Sequence, residues 1–423
     1  MKKSSVRLIF LWINAWICLT GVFTHSYGQS FKAGASVRVI TPDPLLPVSG
    51  GMGIPKQATE KKGDLFVRAL VVENNGVRVA FVGIDNLGWP AALGDRSRKL
   101  VKGIPPENIL IGATHTHSAP DAYGFPDESG KSSVDLKYLD WCVGRVAEAI
   151  NEAVGNLRPA TLKVAVGEAK GRIAYNYYAE KLYDPRCGVI QVLSADDNKK
   201  VIATMVNYAV HPETLGSKRG ILSPDLCGPL YERIEQQTGG TAIFMNGALG
   251  GMVTADNRGD GKSEPDMWQE CIRIGRLLAD EALRIVKDAP VIANPQVSNL
   301  AERLTLPVDN EAMRMVLKSS PVSLMTNDAD KVSTQVNLIS LGPAKLLTIP
   351  GEALPNIGYY LKRNMQTDFP FLLGLTNDAF GYIMTREDFQ SFQTYNYISR
   401  TTLGENTYDL YRDLVFNKLL KRK

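Results

Sequence analysis

Histidine is scarce in this chain of 423 residues: there are four, at positions 25, 115, 117 and 211. Cysteine is almost as rare, at five, and no two stand in a C-x-x-C pair, which argues against a cysteine zinc site. No G-x-S-x-G stretch occurs, which counts against a serine hydrolase of the usual α/β type. Residues 259–263, "GDGKS", end like a phosphate loop, but Asp256 stands where the first glycine of G-x-x-x-x-G-K-[ST] belongs. There is no basic run interleaved with aromatics, and 48 Lys plus Arg nearly balance 44 Asp plus Glu. That composition excludes nucleic acid as the expected partner. Past the first thirty residues no segment is apolar enough to span a membrane, and no internal repeat, low-complexity tract or linker interrupts the chain.

What is present begins with "MKKSSVRLIFLWINAWICLTGVFTHSYGQS", two lysines and an arginine ahead of a short apolar core, with Ser26 and Gly28 flanking a plausible cut. It reads as a signal peptide over residues 1–28. Asn14 interrupts the apolar run, which falls short of the ~20 residues that a retained anchor needs. "AWIC" lacks the small residue that a lipoprotein site requires before Cys18. The expected location is secreted or periplasmic. The remainder, residues 29–423, is long enough for a substantial core and is expected to form a single catalytic unit. Four cysteines remain, Cys142, Cys187, Cys227 and Cys271, with disulfides and buried free thiols equally compatible with export.

"RALVVENNGVRVAFVGID" reads as two strands joined by a turn at Asn74, Asn75 and Gly76. Another strand, "NILIGATHTH", follows. Apolar residues at 139, 143, 146, 150 and 154 recur at helical spacing, with Gly155 placed to stop the helix. The strand "VIATMVNYAVH", a short helix over 226–237, the strand "TAIFMNGALGG" and an amphipathic helix from Met267, between Pro265 and Pro290, come next. Residues 297–349 look strand-like, and "GEALPNIGYYLKRNM" returns to helix. This order predicts an α/β fold of mixed β-sheets flanked by helices around a central zinc site.

His115 and His117, two apart on a predicted strand, would share one face. His211 also ends an apolar strand, ahead of Pro212. Three histidines in the same kind of position point to zinc, which takes imidazole nitrogen and carboxylate oxygen and, in a catalytic site, leaves one position for water or substrate. Glu352 in "LLTIPGEAL" is the best carboxylate candidate. Asp85 and Asp225 compete with it, or could orient a ligand histidine from behind. "NGALGG" reads either as a tight turn or as backbone placed close to a ligand.

Five stretches in order resemble the neutral and alkaline non-lysosomal ceramidases. They are "ATHTHSAPDAYGF", "VNYAVHPETLG", "ILSPDLCGPL", "IPGEAL" and "GYIMTREDFQSFQTYNY", and the resemblance covers nearly the whole mature chain. It implies zinc ligands His115, His211, Glu352 and Tyr382, with His117 facing the substrate or handling a proton. Tyr395 lies near the family's second motif tyrosine, one residue out of register. The family's serine loop aligns to "GGMVTAD", which puts Thr254 at the serine position and Met252 in place of an acidic residue, and Tyr177 replaces an arginine. By this resemblance the chain is expected to cover the family's catalytic domain and to lack its C-terminal immunoglobulin-like domain. The resemblance implies hydrolysis of an amide in a small-molecule lipid by metal-activated water. The changed pocket residues keep open a zinc-dependent esterase or deacetylase acting on a glycan or lipid, or a zinc-containing binding protein without turnover.

Overall fold

A computed structural model describes residues 31–125, 129, 131–197, 199–259, 265–322 and 330–421. The expected signal peptide, with His25 and Cys18, and most of the phosphate-loop-like stretch lie outside these residues.

Alternation of side chains builds the central sheet. In the strand Phe66–Asn74, Val67, Ala69 and Val71 pack beneath the helix Leu136–Gly155, while Leu70 and Val72 face a second sheet. The hairpin partner Val77–Ile84 follows a two-residue turn with Asn75 and Gly76 both at positive φ, 50° and 79°. That geometry matches the right-handed twist of the strands it joins. Eight strands form the sheet in the order Thr241–Asn246, Val201–Tyr208, Arg186–Ser194, Arg158–Glu168, Lys32–Val39, Phe66–Asn74, Val77–Ile84 and Ile109–Ala113. Both outermost pairings are parallel and the inner ones antiparallel. The mixed sheets and flanking helices are as the sequence predicts, although three central strands, at 32–39, 158–168 and 186–194, are not among those predicted.

The sheet curls until its two edge strands approach one another. A Cβ on Gly83 would stand 2.8 Å from the Phe244 carbonyl, and one on Gly112 2.7 Å from the Met245 Cε, so glycine at both places permits the approach. No ladder joins these edges. The backbone of residues 374–377 fills the seam: Gly374 N–H donates to Asn246, Ala113 N–H to Leu375, and Asn377 N–H to Ile111. That segment is delivered by a four-stranded sheet, in which Phe369–Leu373 pairs parallel to Ala344–Thr348.

Helices cover both outer faces. Leu136–Gly155 is capped by Asp135, whose side chain accepts from Tyr138 N–H at 2.9 Å. Cys227–Thr238 and Met267–Val286 pack over the strands at the other end of the sheet. Gly155 is itself the last helical residue, one position earlier than a stop signal would sit. The strand-like reading of 297–349 missed the helix Glu311–Ser319, whose start Asn310 caps by accepting from Ala312 and Met313 N–H. Glu352 stands on a two-residue strand, Glu352–Ala353, ahead of the helix Pro355–Asn364 rather than within it. All four described cysteines are buried free thiols. No helix among the described residues is long and apolar enough to cross a membrane.

The seam depends on buried amides. Asn207 Nδ2 lies 2.9, 3.0 and 2.8 Å from the carbonyls of Met245, Asn246 and Leu372. Asn207→Ala should therefore lower stability by about 1–3 kcal/mol, the cost of leaving buried acceptors without a donor. Urea unfolding would measure it, and an unchanged midpoint and slope would mean that other donors replace the amide.

Candidate metal centre

The strand Ile109–Ala113 ends before the histidines, so His115 and His117 do not share a strand face. His115 instead has φ +71°, a left-handed conformation rare for a residue with a Cβ. Its N–H donates to the Asn86 carbonyl at 2.9 Å, and its Nδ1 to the Leu87 carbonyl at 2.5 Å. The reversal brings the two imidazoles edge to face, with centroids 4.8 Å apart. His211 arrives from the strand Val201–Tyr208 and gives both its N–H and its Nδ1 to the Val253 carbonyl, each at 2.8 Å. A carbonyl only accepts, so each ring carries a proton on Nδ1 and turns Nε2 inward. In the metal-free protein His211, whose pKa rises despite burial because of the Glu352 contact, also donates from Nε2 to that carboxylate, whereas neutral His115 presents a lone pair.

The inward nitrogens meet one carboxylate. Glu352 Oε2 lies 3.1 Å from His211 Nε2 and 3.6 Å from His115 Nε2. Its strand pairs with Tyr382, whose hydroxyl bonds the same carboxylate and lies 3.5 Å from the Met252 sulfur. Gly250 backs this strand so closely that a Cβ there would stand 2.3 Å from the Glu352 carbonyl. His117 Nδ1 faces Glu213 at 3.3 Å, and its Nε2 is buried without a partner. Donor atoms of the three histidines all lie within 4.8 Å of one another, a grouping that could hold a metal ion.

Burial pushes the pKa of both His115 and His117 down to about 3, so both are neutral at ordinary pH. Burial opposes charge on Glu352 as well, but His115 and the hydrogen bond from His211 outweigh it and hold the carboxyl below the usual range. For His211 burial again opposes protonation, and the contact with Glu352 together with the Glu213 charge reverses the direction.

The cluster opens on a pocket. Phe125, Met313, Leu317, Val332 and Phe380 supply apolar wall, and Tyr123, Asp378, Tyr397 and Thr401 line it as well. No family model matches the sequence, and no curated protein does. Among solved structures, neutral ceramidase from Pseudomonas aeruginosa superposes with a TM-score of 0.73, covering 92% of this chain and 73% of that one at 17% identity. A ceramidase complexed with C2 gives 0.72, 92%, 74% and 18%. The fold is that of neutral ceramidase.

Within this neutral ceramidase fold the sequence-nominated residues divide. His115, His117, His211, Glu352 and Tyr382 come together. Thr254 does not enter the pocket wall; it sits on the strand Val253–Ala255 opposite Tyr175 and bridges to the His211 backbone. Tyr395 packs against Tyr178 and Phe392, with centroids 5.6 and 5.4 Å away. Tyr397 takes the wall position instead, its ring 6.1 Å from that of Tyr382. Tyr177 is 67% exposed. Asp85 and Asp225 orient no histidine: Asp85 accepts from Phe66 N–H and the Tyr231 hydroxyl, and Asp225 from Leu215 and Leu226 N–H. Backbone carbonyls do the orienting, and a carbonyl leaves no trace in a sequence.

Asp378 also escaped the sequence reading. One of its oxygens accepts from Ala91 and Ala379 N–H. Burial pushes its pKa up to about 7, with Asp95 adding to the shift and Arg98 opposing it. A folded value above the unfolded 3.8 means that its contribution to stability is full below pH 3.8 and is lost as pH rises through about 7. Wild-type stability should therefore fall relative to Asp378→Asn by a few kcal/mol between these limits. Denaturant unfolding of both proteins across that range should show the divergence, and parallel curves would contradict it.

Proposed function

We propose that the protein is an exported, zinc-dependent hydrolase of a single catalytic domain, with residues 1–28 as its signal peptide, cleaving an amide bond in a small lipid-like molecule. One observation carries the reading: two imidazoles with Nδ1 committed to carbonyls turn their Nε2 atoms onto one buried carboxylate inside a neutral ceramidase fold. The donors suit the metal. Neutral imidazole and carboxylate are borderline ligands typical of zinc, and Nδ1 hydrogen bonds are the usual support for ligating histidines. The buried, unpartnered Nε2 of His117 opens on the same space.

His115, His211, Glu352 and Tyr382 would hold the ion. Bound there, zinc supplies Lewis-acid polarisation of a carbonyl and lowers the pKa of a water toward ~7. Water adds to the scissile carbon, the C–N bond breaks, and the amine leaves with a proton. His117, neutral and with Glu213 holding Nδ1, is placed to take a proton from the attacking water at Nε2 and pass it to the leaving amine. The Tyr382 hydroxyl can also donate to charge developing on the substrate oxygen. The apolar part of the pocket wall takes the hydrocarbon part of the substrate. With Thr254 and Tyr395 outside the pocket wall, a threonine hydroxyl or a second tyrosine acting on substrate would require Thr254 to act through His211 and Tyr397 to stand in for Tyr395.

Purified protein should contain close to one zinc per chain by elemental analysis, and a chelator should abolish hydrolysis of the best substrate among N-acyl lipids, N-acetyl sugars and aryl esters. His211→Ala should lose the metal, whereas His117→Ala should keep it and lose turnover. Absence of zinc after both purification and reconstitution would sink the reading, as would activity indifferent to chelation.

Tyr382→Phe keeps the ring and should leave thermal stability nearly unchanged, while activity falls by about one to three powers of ten. Full activity would show that the hydroxyl does nothing chemical.

A further inference from the structure

The "NGALGG" turn begins with Asn246, the last residue of the strand Thr241–Asn246 and fully buried. Its side-chain oxygen accepts from Val210 N–H at 3.2 Å and Gly247 N–H at 2.9 Å. Its nitrogen donates to the Val210 carbonyl at 2.8 Å and the Thr114 carbonyl at 3.0 Å. Two donors and two lone pairs are the whole capacity of a primary amide. Every one is used.

Thr114 and Val210 immediately precede His115 and His211. The peptide entering His115 is held at its carbonyl by Asn246 and at its N–H by the Asn86 carbonyl. The peptide entering His211 is held in the same way, by Asn246 and the Val253 carbonyl. With the plane of each peptide fixed, rotation about N–Cα and the side-chain torsions alone place each imidazole. The left-handed φ of His115 is set against a peptide that cannot turn. The two histidines follow strands at opposite regions of a sheet whose edges share no ladder, so this one amide links the turns that carry them.

We infer that Asn246 is a positioning residue that fixes the separation of His115 and His211 and so sets the affinity of the site for zinc. The inference rests on the proposal that these histidines bind metal. Alanine would remove all four bonds, and aspartate both donors. Glutamine keeps the groups but carries them one methylene further out.

The test is zinc affinity of the whole protein, by competition with a chromophoric chelator, alongside urea unfolding of the metal-stripped form. Asn246→Ala and Asn246→Asp should weaken zinc binding by about 10–100-fold, the range typical when a group supporting a metal ligand is lost. Asn246→Gln should fold and fall between these and the parent. Asn337→Ala is the control: this buried amide bonds the Glu107 carbonyl and the side chains of Asn299 and Asn377, touching neither Asn246 nor a histidine-bearing peptide, so its loss should lower stability yet leave zinc affinity within about threefold. Unchanged affinity in the Asn246 variants would overturn the inference, and so would an equal loss in Asn337→Ala. If Ala and Asp fail to fold, Gln decides. If Gln fails too, Asn246 is a folding residue and the inference falls. A parent protein that binds no zinc would instead remove the metal reading beneath it.

Discussion

The carboxylate of Glu352 governs the arrangement around it. A carboxylate only 6% exposed is costly unless partners replace the water it gives up. The partners that donate to it are His211 and Tyr382, with His115 Nε2 3.6 Å away, and they can serve only if their polar atoms face inward. The rings are therefore turned by hydrogen bonds from Nδ1 to the Leu87 and Val253 carbonyls. The left-handed turn at His115 brings its ring to the Leu87 carbonyl, and the Glu352 strand sits close against Gly250. One buried charge thus reaches back through imidazoles and peptide planes to the curl of the central sheet.

The parts of this fold that were legible in the sequence are those in which neighbours along the chain decide the outcome. The Asn75-Gly76 turn, the helix capped by Asp135 and the helix from Met267 each carry their own periodicity or cap. The strand at 158–168 also alternates, with Ala160, Leu162, Val164 and Val166 on one face, but it was passed over, and its pairing with the strands at 32–39 and 186–194 is what the alternation alone does not give. Glu311–Ser319 was missed for the opposite reason: a short helix between strands has too few turns to declare its period. At the site, motif order nominated His115, His211, Glu352 and Tyr382, and these meet in space. The same reasoning placed Tyr395 where the wall holds Tyr397, since a helical turn over 396–400 rotates the chain. Asn246 acts on peptide groups, and the two orienting carbonyls are themselves peptide groups, which are the same everywhere in a sequence.

The pocket wall is of mixed polarity. Imidazoles, Glu352, Tyr382 and Tyr397 share it with the apolar side chains of Phe125, Met313, Leu317, Val332 and Phe380. A ligand that satisfies both kinds of wall must itself carry hydrogen-bonding groups as well as hydrocarbon. The carboxyl of Asp378 near neutrality gives the wall one group able either to donate or to accept.

The residues that converge at the cluster are widely spaced, and more than half of the chain lies between His115 and Glu352. An unfolded or partly synthesised chain offers only the neighbouring His115 and His117, because closing the loops from His115 to His211 and from His211 to Glu352 costs entropy before those ligands can cooperate. An ion captured by this geometry would therefore recognise only the finished fold, and its apparent affinity would scale with the fraction of molecules that have reached it. Occupancy would serve as a readout of folding, and a destabilising substitution far from the cluster would register first as metal lost on dilution.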